Sequence, residues 1–220
     1  MSSARVLSLA VGRSREFDYH GRPAQSAIWK SPVSGRVAVR GVNFDGDDQA
    51  DRQAHGGPDK AVYAYAIEDA RWWEAQLGRV LETAQFGQNL TTEGVDVNGA
   101  LVGERWAIGT AVLEVSCPRI PCRTFQAFWD VPQLVRRFTD HGAPGAYLRI
   151  VQEGEVGAGD RVTVVHRPAH GVTIGETFRG LTGDRSLAPR LLEAVELPER
   201  DLERVRTWVA RSAAAGTAPA

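Results

Sequence analysis

Arg105-Trp-Ala-Ile-Gly-Thr-Ala-Val-Leu-Glu-Val-Ser-Cys-Pro-Arg-Ile-Pro-Cys-Arg-Thr-Phe125 is the stretch on which the reading of this chain turns. Two strand-type segments, 105–108 and 111–115, are cut at Gly109-Thr110, and the second runs into a proline-broken turn that closes on Cys122. β-Branched and aromatic residues in short runs, bounded by glycine and proline, suit a pleated surface. Outward from this stretch the same texture recurs at 6–11, 35–40, 61–66, 89–92, 146–151 and 161–166. That many short strands predict a closed or nearly closed β-barrel over residues 1–168, in preference to a βαβ array. Two helices interrupt it. In one, Ile67, Ala70, Trp73 and Leu77 recur at near-helical spacing and Gly78 supplies a stop. In the other, Val131, Leu134, Val135 and Phe138 follow Asp130 as a cap and end at His141-Gly142. Both apolar stripes read as core.

After Pro168 the texture changes. Thr173-Ile-Gly-Glu176 has capping-box spacing, a second helical segment surrounds Leu187 to Val195, and a third runs from about Glu199 to Arg211. Residues 169–212 are therefore expected to form a small three-helix domain, and 213–220 a disordered tail. The fold class is mainly β with α. Across 220 residues, 43% hydrophobic and 24% charged content describes an ordinary globule. A net charge of −1 supplies no general attraction for nucleic acid or an anionic membrane, so any anionic ligand has to be held by local arginines and lysines. The three helices show no basic recognition face that would make a DNA-reading unit. No run is long enough for a membrane-spanning helix, and the segment 6–11 alternates like a strand, so the chain is expected to be cytoplasmic.

Cys117 and Cys122 are too few for a disulfide framework, and the histidines at 20, 55, 141, 166 and 170 lack a zinc spacing. Cys122 has Arg119 and Arg123 as neighbours, and both favour the thiolate, the form that attacks electrophiles or binds soft metals. Cys117, close behind Val115, reads as an inert core thiol. Three polar clusters accompany it. Lys30 and Ser31 lie in a proline-containing turn suited to a phosphate. The loop from Gly46 to Lys60 carries His55, able to donate a proton or bind an anion, and Lys60, able to pair with phosphate. Asp47 and Asp51 pin that loop through side-chain to backbone bonds. Asn89 offers an amide for a heterocycle edge, or simply stabilises a turn. The residues alone admit a cysteine enzyme with Cys122 as nucleophile, His55 as base and Asn89 orienting it. They also admit a non-catalytic cofactor or sulfur carrier, and an imine-forming lysine at position 30 or 60.

In order along the chain, Trp29-Lys-Ser-Pro-Val33, Gly46-Asp-Asp-Gln-Ala-Asp51, His55-Gly-Gly-Pro-Asp-Lys60, Phe86-Gly-Gln-Asn-Leu90 and Cys117-Pro-Arg-Ile-Pro-Cys-Arg123 resemble the MOSC domains. These are named for the molybdenum cofactor sulfurase C-terminus, and the likeness is greatest to the bacterial YiiM-like branch with its C-terminal three-helix domain. The resemblance implies a β-barrel that binds molybdenum cofactor and reduces N-hydroxylated bases. Cys122 matches the cysteine that ligates molybdenum, Lys30 and Ser31 resemble the pterin-phosphate contacts, and Asn89 matches an asparagine of the cofactor pocket. One departure is visible. Eukaryotic relatives place an arginine between the phenylalanine and asparagine, where this chain has Gly87 and Gln88, so Lys60, Arg119 or Arg123 has to balance the cofactor's charge. His55 or an ordered water would supply a proton. With no dinucleotide fingerprint or iron-sulfur cysteine set, the implied partners are a separate reductase or electron carrier and a small N-hydroxylated substrate. A homodimer is compatible with this reading; nucleic acid and membrane are not expected partners.

Overall fold

A computed structural model describes residues 4–19, 21–50 and 56–216. Asp51 and His55 lie outside the described residues. The chain forms strands β1 (Arg5–Val11), β2 (Arg15–Asp18), β3 (Pro23–Ser26), β4 (Ser31–Val33), β5 (Arg36–Arg40), β6 (Asn43–Phe44) and β7 (Val62–Ala66). Helix α1 (Ile67–Leu77) follows, then β8 (Leu90–Glu93), β9 (Arg105–Ile108), β10 (Ala111–Pro118), α2 (Arg123–Trp129) and α3 (Leu134–His141). The remainder is β11 (Ala146–Gln152), β12 (Gly154–Gly157), β13 (Val162–His166), α4 (Ile174–Thr182), α5 (Ala188–Leu191) and α6 (Glu199–Gly216).

Eight strands form one sheet in the order β13-β9-β10-β11-β7-β8-β1-β4. All neighbours are antiparallel except β7 and β8, whose parallel pairing needs a crossover, and α1 lies on that crossover. The sheet curls until its two ends meet. Arg5 bridges Arg161, the Val6 N–H donates to Asp160 O at 2.9 Å, and the Val162 N–H donates to Ala4 O at 3.0 Å. The mainly β, barrel-like fold expected from the strand texture is thus a curled sheet whose ends meet through a few bonds rather than a full ladder. β12, β5 and β6 form a second small sheet, and β2 pairs only with β3.

The apolar alternation of the strands fills the inside with Val6, Leu9, Val62, Leu90, Trp106, Leu113 and Leu148, all at most 1% exposed. Ile174, Leu181, Leu191, Leu202 and Val205 of the C-terminal helices join this same cluster. A second, aromatic cluster of Tyr65, Trp73, Phe86, Phe125, Trp129 and Phe138 lies where α1, α2 and α3 pack. Of the helix stripes read as core from the sequence, Ala70, Trp73, Leu134 and Phe138 are buried, Ile67, Leu77 and Val131 pack half-buried against the same cluster, and Val135 stays at its margin. Thr173 and Glu176 make the expected capping box, with hydroxyl and carboxylate each accepting the other residue's backbone N–H.

Two local expectations are corrected. Asp130 does not open α3; at φ 49° it closes α2, its N–H donating to Gln126 O, and Gln133 precedes α3 instead. Aspartate tolerates the left-handed region well enough to end a helix as readily as begin one. α6 also runs to Gly216, so residues 213–216, expected in a disordered tail, are helical. Alanine has the highest helix propensity and extends an established helix at little cost. No helix among the described residues is long and apolar enough to cross a membrane.

Candidate functional site

The register of the central strands sets the site. β11 lies between β10 and β7, and Tyr147 is paired with Cys117 on one side and Tyr63 on the other. The chain leaves β10 at Pro118, passes Arg119, and reaches Cys122 just before α2. At this end of the sheet a cleft of about 240 Å³ opens. Arg119, Cys122, Tyr63 and Tyr147 line one side of it, and Lys30, Asp47, Lys60 and Asn89 also face it. The fold therefore gathers five of the residues singled out from sequence: Lys30, Lys60, Asn89, Arg119 and Cys122. It does not bring Ser31, which is exposed on the edge strand β4 and paired with Val11. Arg123 is exposed at the start of α2 and is also absent from the lining. His55 lies outside the described residues.

Arg119 is the unusual group. It is only 6% exposed, its guanidinium lies 3.9 Å from the Phe125 ring centroid and 5.7 Å from that of Tyr63, and it makes no ion pair among the described residues. Its Nη1 is buried without a hydrogen-bond partner. Stacking on aromatic faces supports a guanidinium, but a buried cation with an unmatched donor is costly unless an anion completes it.

Lys30 and Asn89 prove to be less available. The Lys30 ammonium meets Asp47 Oδ1 at 2.5 Å, with side chains 8% and 3% exposed. The same carboxylate accepts the Gly12 N–H at 2.7 Å and the Asn89 Nδ2 at 2.9 Å. Burial pulls the Lys30 ammonium below its ordinary range, against the opposing charge of Asp47. Asn89 also donates to Ala10 O at 3.2 Å and accepts the Tyr63 N–H at 3.0 Å, so its amide braces the wall. Asp47 pins its loop to Gly12 as the sequence suggested.

Lys60 ends a short 3-10 turn, Pro58–Lys60, its ammonium 5.7 Å from the Tyr147 ring. The turn is fixed on several sides. Asp59 Oδ1 accepts Arg149 Nε at 2.5 Å, the Ser116 hydroxyl donates to Asp59 O, and Gln49 joins the Gly57 N–H to Lys60 O. Cys122 is half-buried, with extended backbone and its carbonyl accepting the Gln126 N–H at 3.1 Å. Cys117 is buried, and burial pushes its thiol up to about 12, which keeps it protonated and inert.

Among the described residues no three His, Cys, Asp or Glu side chains gather in a way that holds a metal ion. A metal at Cys122 would have to arrive with most of its own ligands, as it does in a cofactor that carries sulfur donors. Gly87 accounts for the missing arginine. Its φ is +74°, and a Cβ there would stand 2.8 Å from the Ile28 side chain, while Gln88 is turned inward to Phe86 N–H and Thr91 Oγ1. Among the described residues, Arg119 instead brings to this cleft a buried cationic donor without a partner. Tyr63, Tyr147 and Gln49 were missed by sequence reading. Tyr147 lay within a strand candidate, but alternation along one strand does not reveal which end of the sheet opens on a cleft.

The chain is similar to several known proteins. The profile of the family described as MOSC domain matches residues 51–163. The uncharacterized protein YflK of Bacillus subtilis is 36% identical over 169 residues, 77% of this chain and 76% of that protein. A protein named reductase in Gibberella moniliformis is 26% identical over 201 residues, 90% of this chain and 36% of that much longer protein. The crystal structure of YiiM from Geobacillus stearothermophilus superposes with a TM-score of 0.77 at 26% identity, covering 93% of this chain and 98% of that one.

Proposed function

The chain belongs to the MOSC domain family, and from that membership we propose that it is an oxidoreductase that holds molybdenum cofactor in the Cys122 cleft and removes oxygen from N-hydroxylated bases. The observation that carries the proposal is the pairing, in one cleft, of a half-buried thiol with a buried and unmatched guanidinium. A soft ligand beside an uncompensated positive charge fits an anionic, sulfur-ligated metal cofactor. The name reductase carried by the Gibberella protein is in keeping with redox chemistry.

Cys122, as thiolate, would be the protein's ligand to the metal. Arg119 would match the cofactor's negative charge, with Lys60 on the Tyr147 side adding a second cation. Tyr63 and Tyr147 form one wall of the cleft, and the Lys30–Asp47–Asn89 network keeps another part of its lining in register. The cofactor itself supplies two-electron redox chemistry. A separate reductase or carrier, working with the chain in the cytoplasm, returns the electrons.

The test is metal analysis of protein made in a host that synthesises the cofactor, with Cys122→Ala prepared in parallel. Molybdenum should accompany the wild type and be lost from the variant. Equal molybdenum in both would overturn the proposal.

A further inference from the structure

Converting R–NH–OH to R–NH2 and water consumes two electrons and two protons. The N–O bond breaks, one proton goes to the departing hydroxyl, and the other goes to the nitrogen. The electrons come from the external reductant, but the proton that makes water a leaving group has to be held at the cleft.

Several polar groups that line the cleft are already engaged. Asp47 and Asp48 face backbone N–H groups and cations, so they serve as acceptors; the Ser14 N–H and Arg13 hold Asp48 below its ordinary range. Lys30 is closed off by Asp47, and Asn89 by Ala10, Asp47 and Tyr63. A guanidinium such as Arg119 does not give up its proton. The Tyr63 hydroxyl donates to Pro144 O at 2.7 Å. Tyr147 differs from Tyr63 on this point. Its ring packs 5.2 Å from the Tyr63 ring and it lines the cleft with Arg119 and Cys122, yet its hydroxyl makes no hydrogen bond among the described residues.

Building on the proposed function, we infer that the Tyr147 hydroxyl donates a hydrogen bond to the departing oxygen of the N-hydroxylated substrate and passes it the proton. The Tyr147 O–H bond breaks as the N–O bond takes up the reductant's two electrons and cleaves, the hydroxyl leaves as water, the amine nitrogen takes the second proton from solvent, and the phenolate left behind is reprotonated from solvent in turn. Arg119 stabilises that phenolate in the interval. A phenol keeps its proton at neutral pH, so the proton is in place. The phenol is still a far stronger acid than bulk water, at about 15.7. The backbone of Tyr147 is locked between β10 and β7, so the hydroxyl is presented from a rigid strand.

The experiment uses protein purified from a cofactor-producing host, with N-hydroxycytosine as substrate and reduced methyl viologen as electron donor. Molybdenum content, KM and kcat are measured for wild type and Tyr147→Phe. Unchanged molybdenum, KM within about threefold and kcat lower by about 10²-fold or more are expected. A second variant carrying difluorotyrosine at 147 keeps the shape but acidifies the phenol, and should move the alkaline limb of kcat to lower pH. Wild-type kcat in Tyr147→Phe with full molybdenum would overturn this inference alone, as would loss of molybdenum from that variant or an unmoved limb. Wild type without molybdenum would overturn the proposed function and this inference with it.

Discussion

Asp47→Asn is the most discriminating change for stability. Asp47 holds three partners at once: the Lys30 ammonium, the Gly12 N–H and the Asn89 amide. Asparagine keeps the shape and one acceptor oxygen but removes the charge, leaving a nearly buried ammonium unpaired. Removing one partner of a buried ion pair costs about 3–5 kcal/mol. With a urea dependence of about 2–3 kcal/mol per molar, the midpoint at pH 7 should fall by about 1–2.5 M. The loss should also depend on pH. Burial already lowers the Lys30 ammonium from 10.5, and loss of the carboxylate lowers it further. Between the folded-state value and 10.5 the unfolded chain carries a proton that the folded chain has shed, so stability rises with pH in that window. The variant should therefore recover part of its deficit between pH 7 and 10, and Lys30→Met combined with Asp47→Asn should recover most of it at pH 7. Chemical denaturation followed by tryptophan fluorescence reads all three. A midpoint shift under about 0.3 M at pH 7, or a deficit unchanged at pH 10, would refute the reasoning.

Three further substitutions probe other parts of the fold. Asp69, half-buried and hydrogen-bonded to Asn98 at 2.7 Å, is raised from 3.8 to about 6, chiefly by desolvation. The folded chain then keeps a proton that the unfolded chain has lost, so stability falls as pH rises through 4 to 6; Asp69→Asn should raise the unfolding free energy at pH 8 by on the order of 3 kcal/mol at most, and leave it nearly unchanged at pH 3. Equal effects at both pH values would contradict the assignment to burial. Gly145 has φ +69° and a Cβ there would stand 2.6 Å from Ala64 O, so Gly145→Ala should destabilise by about 2 kcal/mol or more by calorimetry, whereas Ala at solvent-facing Gly142, φ +76°, should cost only its backbone strain of about 1 kcal/mol.

Much of the architecture was legible because it is local. The strand pair around Gly109, the stop at Gly78 and the capping box at Thr173 each depend on residues within a few positions of one another. Helix α2 was not, because Phe125 and Trp129 follow a proline-rich turn and leave too short a pattern to show a period.

The site divides along the same line. The sequence by itself determined that Cys122 is the thiol to consider, that Cys117 belongs to the core, and that cations and amides cluster around them in a family-specific order. Only the tertiary structure decided which cations face the cleft. Arg119 and Arg123 lie close on either side of Cys122, yet one is buried against Phe125 and the other is exposed at the start of α2. Lys30 is matched by Asp47, and Ser31 is turned onto an edge strand. Charge balance and exposure at these positions are set by partners distant in sequence, through strand register and packing, and no local pattern encodes them.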